Sequence, residues 1–308
     1  SFREFHRAVG AIRKDLHLIS GPFDYIAEHA ELPPEIAAIG GDYCQAESLI
    51  GGRQCTLDGY VQNGRTHIYG VVDSIRERNR SSFFRYEYPS QLPVGVRRRM
   101  QRIVERMMEH LGFDDSGFNA ELFWHYPSDR IWLLEINTRI TQSHSEIYEK
   151  VDGISNHQIM VDVALGREPH LPYREGPFAC AGKFFLRTQR DALVRRVPSP
   201  EEIERLEREI LGTVVQLQVT PGMRLSELLE QDSYSYAIAH IFIGARSRRE
   251  LLARYRQCLS MLSFELEEYA ATPPGMPGPE ASAPGLPGTS PPATALPASE
   301  AGALHRGE

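Results

Sequence analysis

The 308-residue chain has four cysteines, and Cys44, Cys55, Cys180 and Cys258 form no CxxC pair and no close Cys/His group. That spacing excludes a structural zinc site and a disulfide framework, and the thiols are expected to be reduced. Nowhere does an apolar run approach the roughly 18 residues of a membrane span. The opening residues, "SFREFHRAVGAIRKDL", lack the apolar core of a secretory signal, so a cytoplasmic protein is expected. There is no basic excess either: the formal net charge is −7 and the pI near 5.9, without the footprint of a nucleic-acid binder. Neither Ser nor Cys stands in a nucleophile elbow, and no hydrolase triad is visible.

Hydrophobic residues make up 41% of the chain, enough for a sizeable core in one large or two modest domains. Phe2, Phe5, Val9, Ile12 and Leu16 recur at helical spacing up to Gly21-Pro22. The chain starts with Ser in what reads as the middle of that helix, which suggests a fragment or a processed chain. Three β-like runs follow between residues 43 and 72, separated by Gly51-Gly52 and Asn63-Gly64. "DSIRERNRSSFFRYEYPSQLP" has no clear periodicity and reads as an Arg-rich loop, from which one or two of Arg76, Arg78, Arg80 and Arg85 could reach an anionic ligand. Met100, Ile103, Val104, Met107 and Leu111 predict a helix capped by Gly112. Its arginines, in "VRRRMQR", read as an exposed face.

Two strands, "FNAELFWHY" and "RIWLLEIN", then a helix ending at Gly166, complete a mixed first domain over residues 1–170. A smaller α+β domain is expected over 171–269, with a helix opened by Ser199-Pro200-Glu201-Glu202. Nine of the 21 prolines fall after residue 270 among few large apolar side chains, so 270–308 is expected to be a disordered tail.

The informative stretch is "LLEINTRI". In a strand, Glu135 and Asn137 project from one face. Glu121 lies fourteen residues earlier, so a hairpin turning on Pro127-Ser128-Asp129 would oppose the two glutamates. Directly opposed like charges destabilise a sheet unless a cation lies between them. Two carboxylates and an amide oxygen form a hard donor set suited to Mg²⁺. The alternative is a solvent-facing hairpin in which Asn137 only begins a turn. His125 and His144 flank these strands; with no partner visible in sequence, a structural or hydrogen-bonding role is read for both.

"FNAELFW" and "LLEINTRI" resemble the Glu and Glu-x-Asn-x-Arg strands of the ATP-grasp superfamily, a fold in which an antiparallel sheet packs with helices. The resemblance implies that Glu121, Glu135 and Asn137 hold Mg²⁺ and that Arg139 faces phosphate or a substrate carboxylate. "QAESLIGGRQC" resembles the segment linking the two lobes around ATP. It implies adenine contacts at Glu47, Leu49 and Ile50, and Gln54 where many members hold ribose with an acid. The ending "ALGREP" is also similar to the family's. The Gly-rich phosphate loop and lysines expected ahead of the first helix are not in the chain, so the fold is expected to be partial. "NTRITQSH" is similar to biotin carboxylases but has Ser143 in place of an acid, which argues against bicarbonate chemistry. "SYAIAHIFIGARSRRELLARY" looks like the end of ATP-dependent carboxylate–amine ligases, including amino-acid ligases.

The implied activity is ATP-driven conversion of a small carboxylate to an acyl phosphate that an amine or similar nucleophile attacks. The implied partners are small molecules, neither nucleic acid nor membrane. A degenerate module that binds a ligand or partner without turnover is the alternative.

Overall fold

A computed structural model describes residues 46–77, 82–228 and 235–268 without a break, together with 2–16, 32–37 and a few positions between them. Gly21, Pro22, Arg78, Arg80 and the expected tail over 270–308 lie outside the described residues. Eight strands form one sheet: β1 (Arg53–Gln62), β2 (Arg65–Arg76), β3 (Phe83–Tyr88), β4 (Ser116–His125), β5 (Arg130–Asn137), β6 (Cys180–Thr188), β8 (Thr213–Leu217) and β9 (Tyr236–Ala245). Their order is β5-β4-β1-β2-β3-β6-β9-β8, antiparallel throughout. Because β3 pairs with β6, the sheet continues across residue 170. A separate two-stranded ribbon joins β7 (Ala192–Arg196) to β10 (Glu265–Glu268).

The sheet has an apolar and a polar face because β1 alternates Cys55 and Leu57 with Gln54, Thr56 and Asp58. Helix α3 (Val94–Leu111) covers the apolar side with Val96, Met100, Val104 and Met108, against Leu57, Phe118, Ala120 and Leu122. Burying each such side chain contributes about 1.5–3 kcal/mol. The buried stripe repeats every four residues and leaves Leu111 exposed, so the helix is turned from the face expected through Met107 and Leu111. Gly112, at φ 62°, ends it as predicted. Farther along the same side, α6 (Pro200–Glu209) and α7 (Arg248–Met261) bring Leu206, Leu251 and Tyr255 against Phe184, Ile241 and Ile243.

On the polar side, α4 (Ser145–Asp152) packs Ile147, Tyr148 and Val151 on Val72, Tyr88 and Phe242. Next to it, α5 (Asn156–Ala164) packs Ile159 and Val163 on Tyr60. The short helices α1 (Phe2–Asp15) and α2 (Pro34–Ala37) precede the sheet; α1 leaves Phe2, Phe5 and Ile12 exposed.

The expected opening for α6 is present as a capping box: Ser199 Oγ accepts from the Glu202 amide at 3.3 Å, and Ser199 N donates to Glu202 Oε2 at 2.8 Å. Ser199→Ala should cost about 1 kcal/mol. A melting-temperature drop of about 2–4 °C would register it.

Two expectations are corrected. Much of the expected loop is strand: Asp73–Arg76 continue β2, and Phe83–Tyr88 form β3 between β2 and β6. Residues 46–50 carry no strand, so the three-stranded meander consists of β1, β2 and β3 instead.

Candidate functional site

Glu121 and Glu135 are direct partners across β4 and β5, and Asn119 opposes Asn137 on the same face. The hairpin reaches this register by another route than the expected one. Its connection, Tyr126–Asp129, has four residues rather than three, which shifts every pair near the turn by one. A β-bulge at Leu134 then shifts the register back, between Leu122↔Leu133 and Glu121↔Glu135. Leu134, at the bulge, is 39% exposed.

The two carboxylates are held differently. Glu121 Oε2 accepts from Gln54 Nε2 at 2.6 Å, and Gln54 Oε1 in turn accepts from Arg76 Nε at 2.7 Å. Burial raises the Glu121 pKa and the facing charge of Glu135 adds to it, while Gln54, Arg76 and His144 oppose the shift. Asn137 Nδ2 donates to Glu135 Oε1 at 3.0 Å and to Asn119 Oδ1 at 3.1 Å. These bonds occupy the amide nitrogen and leave Asn137 Oδ1 for another partner. Among the described residues no three His, Cys, Asp or Glu side chains converge on one point. The candidate cation set is therefore the two glutamate carboxylates and the Asn137 oxygen, an all-oxygen group that fits a hard divalent ion keeping several waters.

Beside this pair lies an open cleft of about 650 Å³, lined on one side by Glu47, Leu49 and Ile50 and on the other by Trp132 and Leu134. Glu47, Leu49 and Ile50 thus share a cleft with Leu134, the residue before Glu135, while Glu121, Glu135 and Asn137 do not line it. Leu49 is 95% exposed, so its side chain is open to a ligand. Gln54, read as a ribose contact, bridges Glu121 and Arg76 instead of lining that cleft. Arg139 is exposed, and its guanidinium donates to its neighbour's carbonyl, Ile140 O, at 3.4 Å. Its backbone carbonyl accepts from Asn119 Nδ2 at 2.9 Å, which fixes the chain just past Asn137.

Several residues of this face were missed in sequence. Asn119 was recoverable, because it stands two positions before Glu121 and shares its face. Asp58 was not: it is fully buried, and its Oδ2 accepts from His144 Nδ1 at 2.7 Å and Tyr148 OH at 2.6 Å. That contact gives His144 the partner the sequence did not reveal. Farther across the sheet, Tyr86, Lys183, Phe185 and His240 continue the same face, in register from β3 through β6 to β9.

Comparison with solved structures follows this geometry. An L-amino acid ligase from Bacillus licheniformis superposes with a TM-score of 0.58 at 18% identity, over 71% of this chain and 53% of the ligase. The biotin carboxylase domain of Hydrogenobacter thermophilus 2-oxoglutarate carboxylase, in complex with MgADP, ADP and bicarbonate, gives 0.52 at 15% identity, over 70% and 46%. The Kluyveromyces lactis urea carboxylase gives 0.53 at 18%, over 82% of this chain and 20% of that one. The chain has the ATP-grasp fold of these proteins and spans about half the length of the first two. No protein-family model matches it, and no characterised protein matches by sequence. No helix among the described residues is long and apolar enough to cross a membrane.

Proposed function

We propose that the chain carries the nucleotide and magnesium side of an ATP-dependent carboxylate–amine ligase. The observation behind this reading is the opposed pair Glu121 and Glu135 with the free Asn137 oxygen, beside the cleft of Glu47, Leu49 and Ile50. Like charges brought face to face, one of them partly buried, make chemical sense when a cation neutralises them. The ATP-grasp fold supports the same reading, since the L-amino acid ligase and the biotin carboxylase domain share it.

In the proposed reaction a substrate carboxylate oxygen attacks the terminal phosphorus of ATP, ADP leaves, and an amine then displaces phosphate from the acyl phosphate. Bound magnesium supplies neutralisation of the charge on the phosphates. The chain's own part is positioning. Gln54 and Arg76 hold the Glu121 carboxylate, Asn137 holds that of Glu135, and Arg139 presents an exposed guanidinium for phosphate or carboxylate. No covalent nucleophile is needed.

The test is ADP release by the full chain over a panel of amino acids and small carboxylates, each with and without an amine and with and without magnesium. ADP formed only when magnesium and one class of carboxylate are both present supports the ligase. No release across the panel, with nucleotide binding intact, would leave a binding module instead.

A further inference from the structure

Asn119 stands in register between Asp58 on β1 and Asn137 on β5. It is buried, with 2% of its surface exposed, so both of its amide atoms need partners inside the protein. Its nitrogen donates to Arg139 O at 2.9 Å, and its oxygen accepts from Asn137 Nδ2 at 3.1 Å. The oxygen and nitrogen ends of an amide side chain have nearly the same shape, and only their neighbours decide which way round they lie.

Arg139 O is the fixed point, because a backbone carbonyl can only accept. It requires the nitrogen of Asn119, which turns the Asn119 oxygen toward Asn137. That oxygen can only accept in its turn, so it requires the nitrogen of Asn137. Glu135 Oε1 makes the same demand on that nitrogen at 3.0 Å. Asn137 is left with its oxygen to offer, and a hard cation takes oxygen. Reversed, the amide would present N–H groups to the cation instead.

The two demands on Asn137 are not equivalent. Glu135 is a candidate ligand, and its oxygens are shared with the cation once one binds. Asn119 is uncharged and has both amide atoms engaged, so its hold on Asn137 is the same with and without the ion. The facing ligand is held by the same device. Arg76 Nε can only donate, so Gln54 gives it an oxygen at 2.7 Å and turns its own nitrogen to Glu121 Oε2 at 2.6 Å.

We propose that Asn119 is a positioning residue: it passes the polarity of the Arg139 carbonyl on to Asn137, and so presents the Asn137 oxygen to the divalent cation. This role rests on the cation reading of Glu121, Glu135 and Asn137, and the experiment separates the two.

The test is Mn²⁺ binding to the full chain without nucleotide, followed through the electron paramagnetic resonance signal of the free ion. Mn²⁺ takes the same all-oxygen sites as Mg²⁺. The site followed is the one that Glu135→Gln weakens. Asn119→Leu keeps the approximate size of the side chain and removes both amide atoms. It should weaken that site about tenfold, the scale on which partners that orient a metal ligand act. Asn137→Asp supplies the decisive background, because a carboxylate has an oxygen at either end and no polarity to set. There Asn119→Leu should leave the affinity unchanged or tighten it, since the Asn119 oxygen would otherwise face a second acceptor. Equal losses with Asn and with Asp at position 137 overturn the role, because they report only general damage to the hairpin. Unchanged binding by Asn119→Leu in the parent chain overturns it too. If Asn119→Leu does not fold, Asn119→Ala, with room for a water molecule, runs the same cycle. A parent chain that binds no Mn²⁺ at the Glu135 site overturns the cation reading itself, and the role of Asn119 with it.

Discussion

Glu135→Gln is expected to lower magnesium-dependent ATP turnover by roughly 10²-fold or more, the scale on which a single preorganised electrostatic contact acts. The substitution keeps the shape of the side chain and an oxygen that can still accept from Asn137 Nδ2, so the hairpin loses little. What disappears is one of two facing negative charges. Without magnesium the melting temperature should therefore rise, by about 2–4 °C at most, because repulsion across β4 and β5 is relieved. Adding magnesium should stabilise the parent chain more than the variant, through preferential binding to the folded state. A solvent-facing glutamate with no cation role predicts the opposite pattern: unchanged turnover and no difference in the magnesium response. Melting curves and ADP release on the two proteins separate the readings, and unchanged turnover would remove the cation site.

How that pair was legible in sequence is instructive. Strand parity and an even separation put Glu121 opposite Glu135, and the structure has them opposite. The longer turn and the bulge at Leu134, neither of which that parity contains, offset one another. A signal for the bulge was present: Ile131 and Leu133 pack toward the core and so does Ile136, so the inward positions change parity within β5. The Arg-rich stretch was misread for a different reason. Arginine interrupts an alternating pattern when read as a polar residue, yet its aliphatic stem can lie buried while the guanidinium finds partners. Arg85 is 11% exposed, bonded to Glu87, which also accepts from Arg248 on α7 at 2.8 Å. The Arg248 pairing joins β3 to a distant part of the chain and leaves no local trace.

Helix α4 went unseen because its eight residues have no side-chain N-cap, although Ile147, Tyr148 and Val151 carry a short helical pattern. Without α4 the polar face had no visible cover, and Asp58 read as one more strand residue. The Lys183 surroundings were equally silent in sequence, since β6, β9 and the turn holding Ser143 meet only in the folded sheet.

The Asp58 network gives the largest expected effect on stability. Asp58→Ala should lower the melting temperature by roughly 10 °C or more, corresponding to about 3–5 kcal/mol, the usual cost of breaking a buried charged contact from one side. Asp58, His144 and Tyr148 are all 1% exposed or less, and one carboxylate oxygen receives both the imidazole and the phenol. Truncation strands two buried donors and opens space beneath the sheet, where Gly70, the register partner of Asp58, already lies against the Tyr148 ring. Burial and the Asp58 charge also hold the Tyr148 pKa well above its ordinary value, so the phenol stays protonated as a donor. Asp58→Asn keeps an oxygen able to accept both bonds and should lose a third or less of what the alanine variant loses. Gly70→Ala should also destabilise, by pressing a methyl group into the ring, and because both changes act on Tyr148 the double variant should depart from additivity. If Asp58→Ala melts within about 3 °C of the parent chain, the network contributes little, and His144 owes its position to packing against Tyr86 and Tyr148.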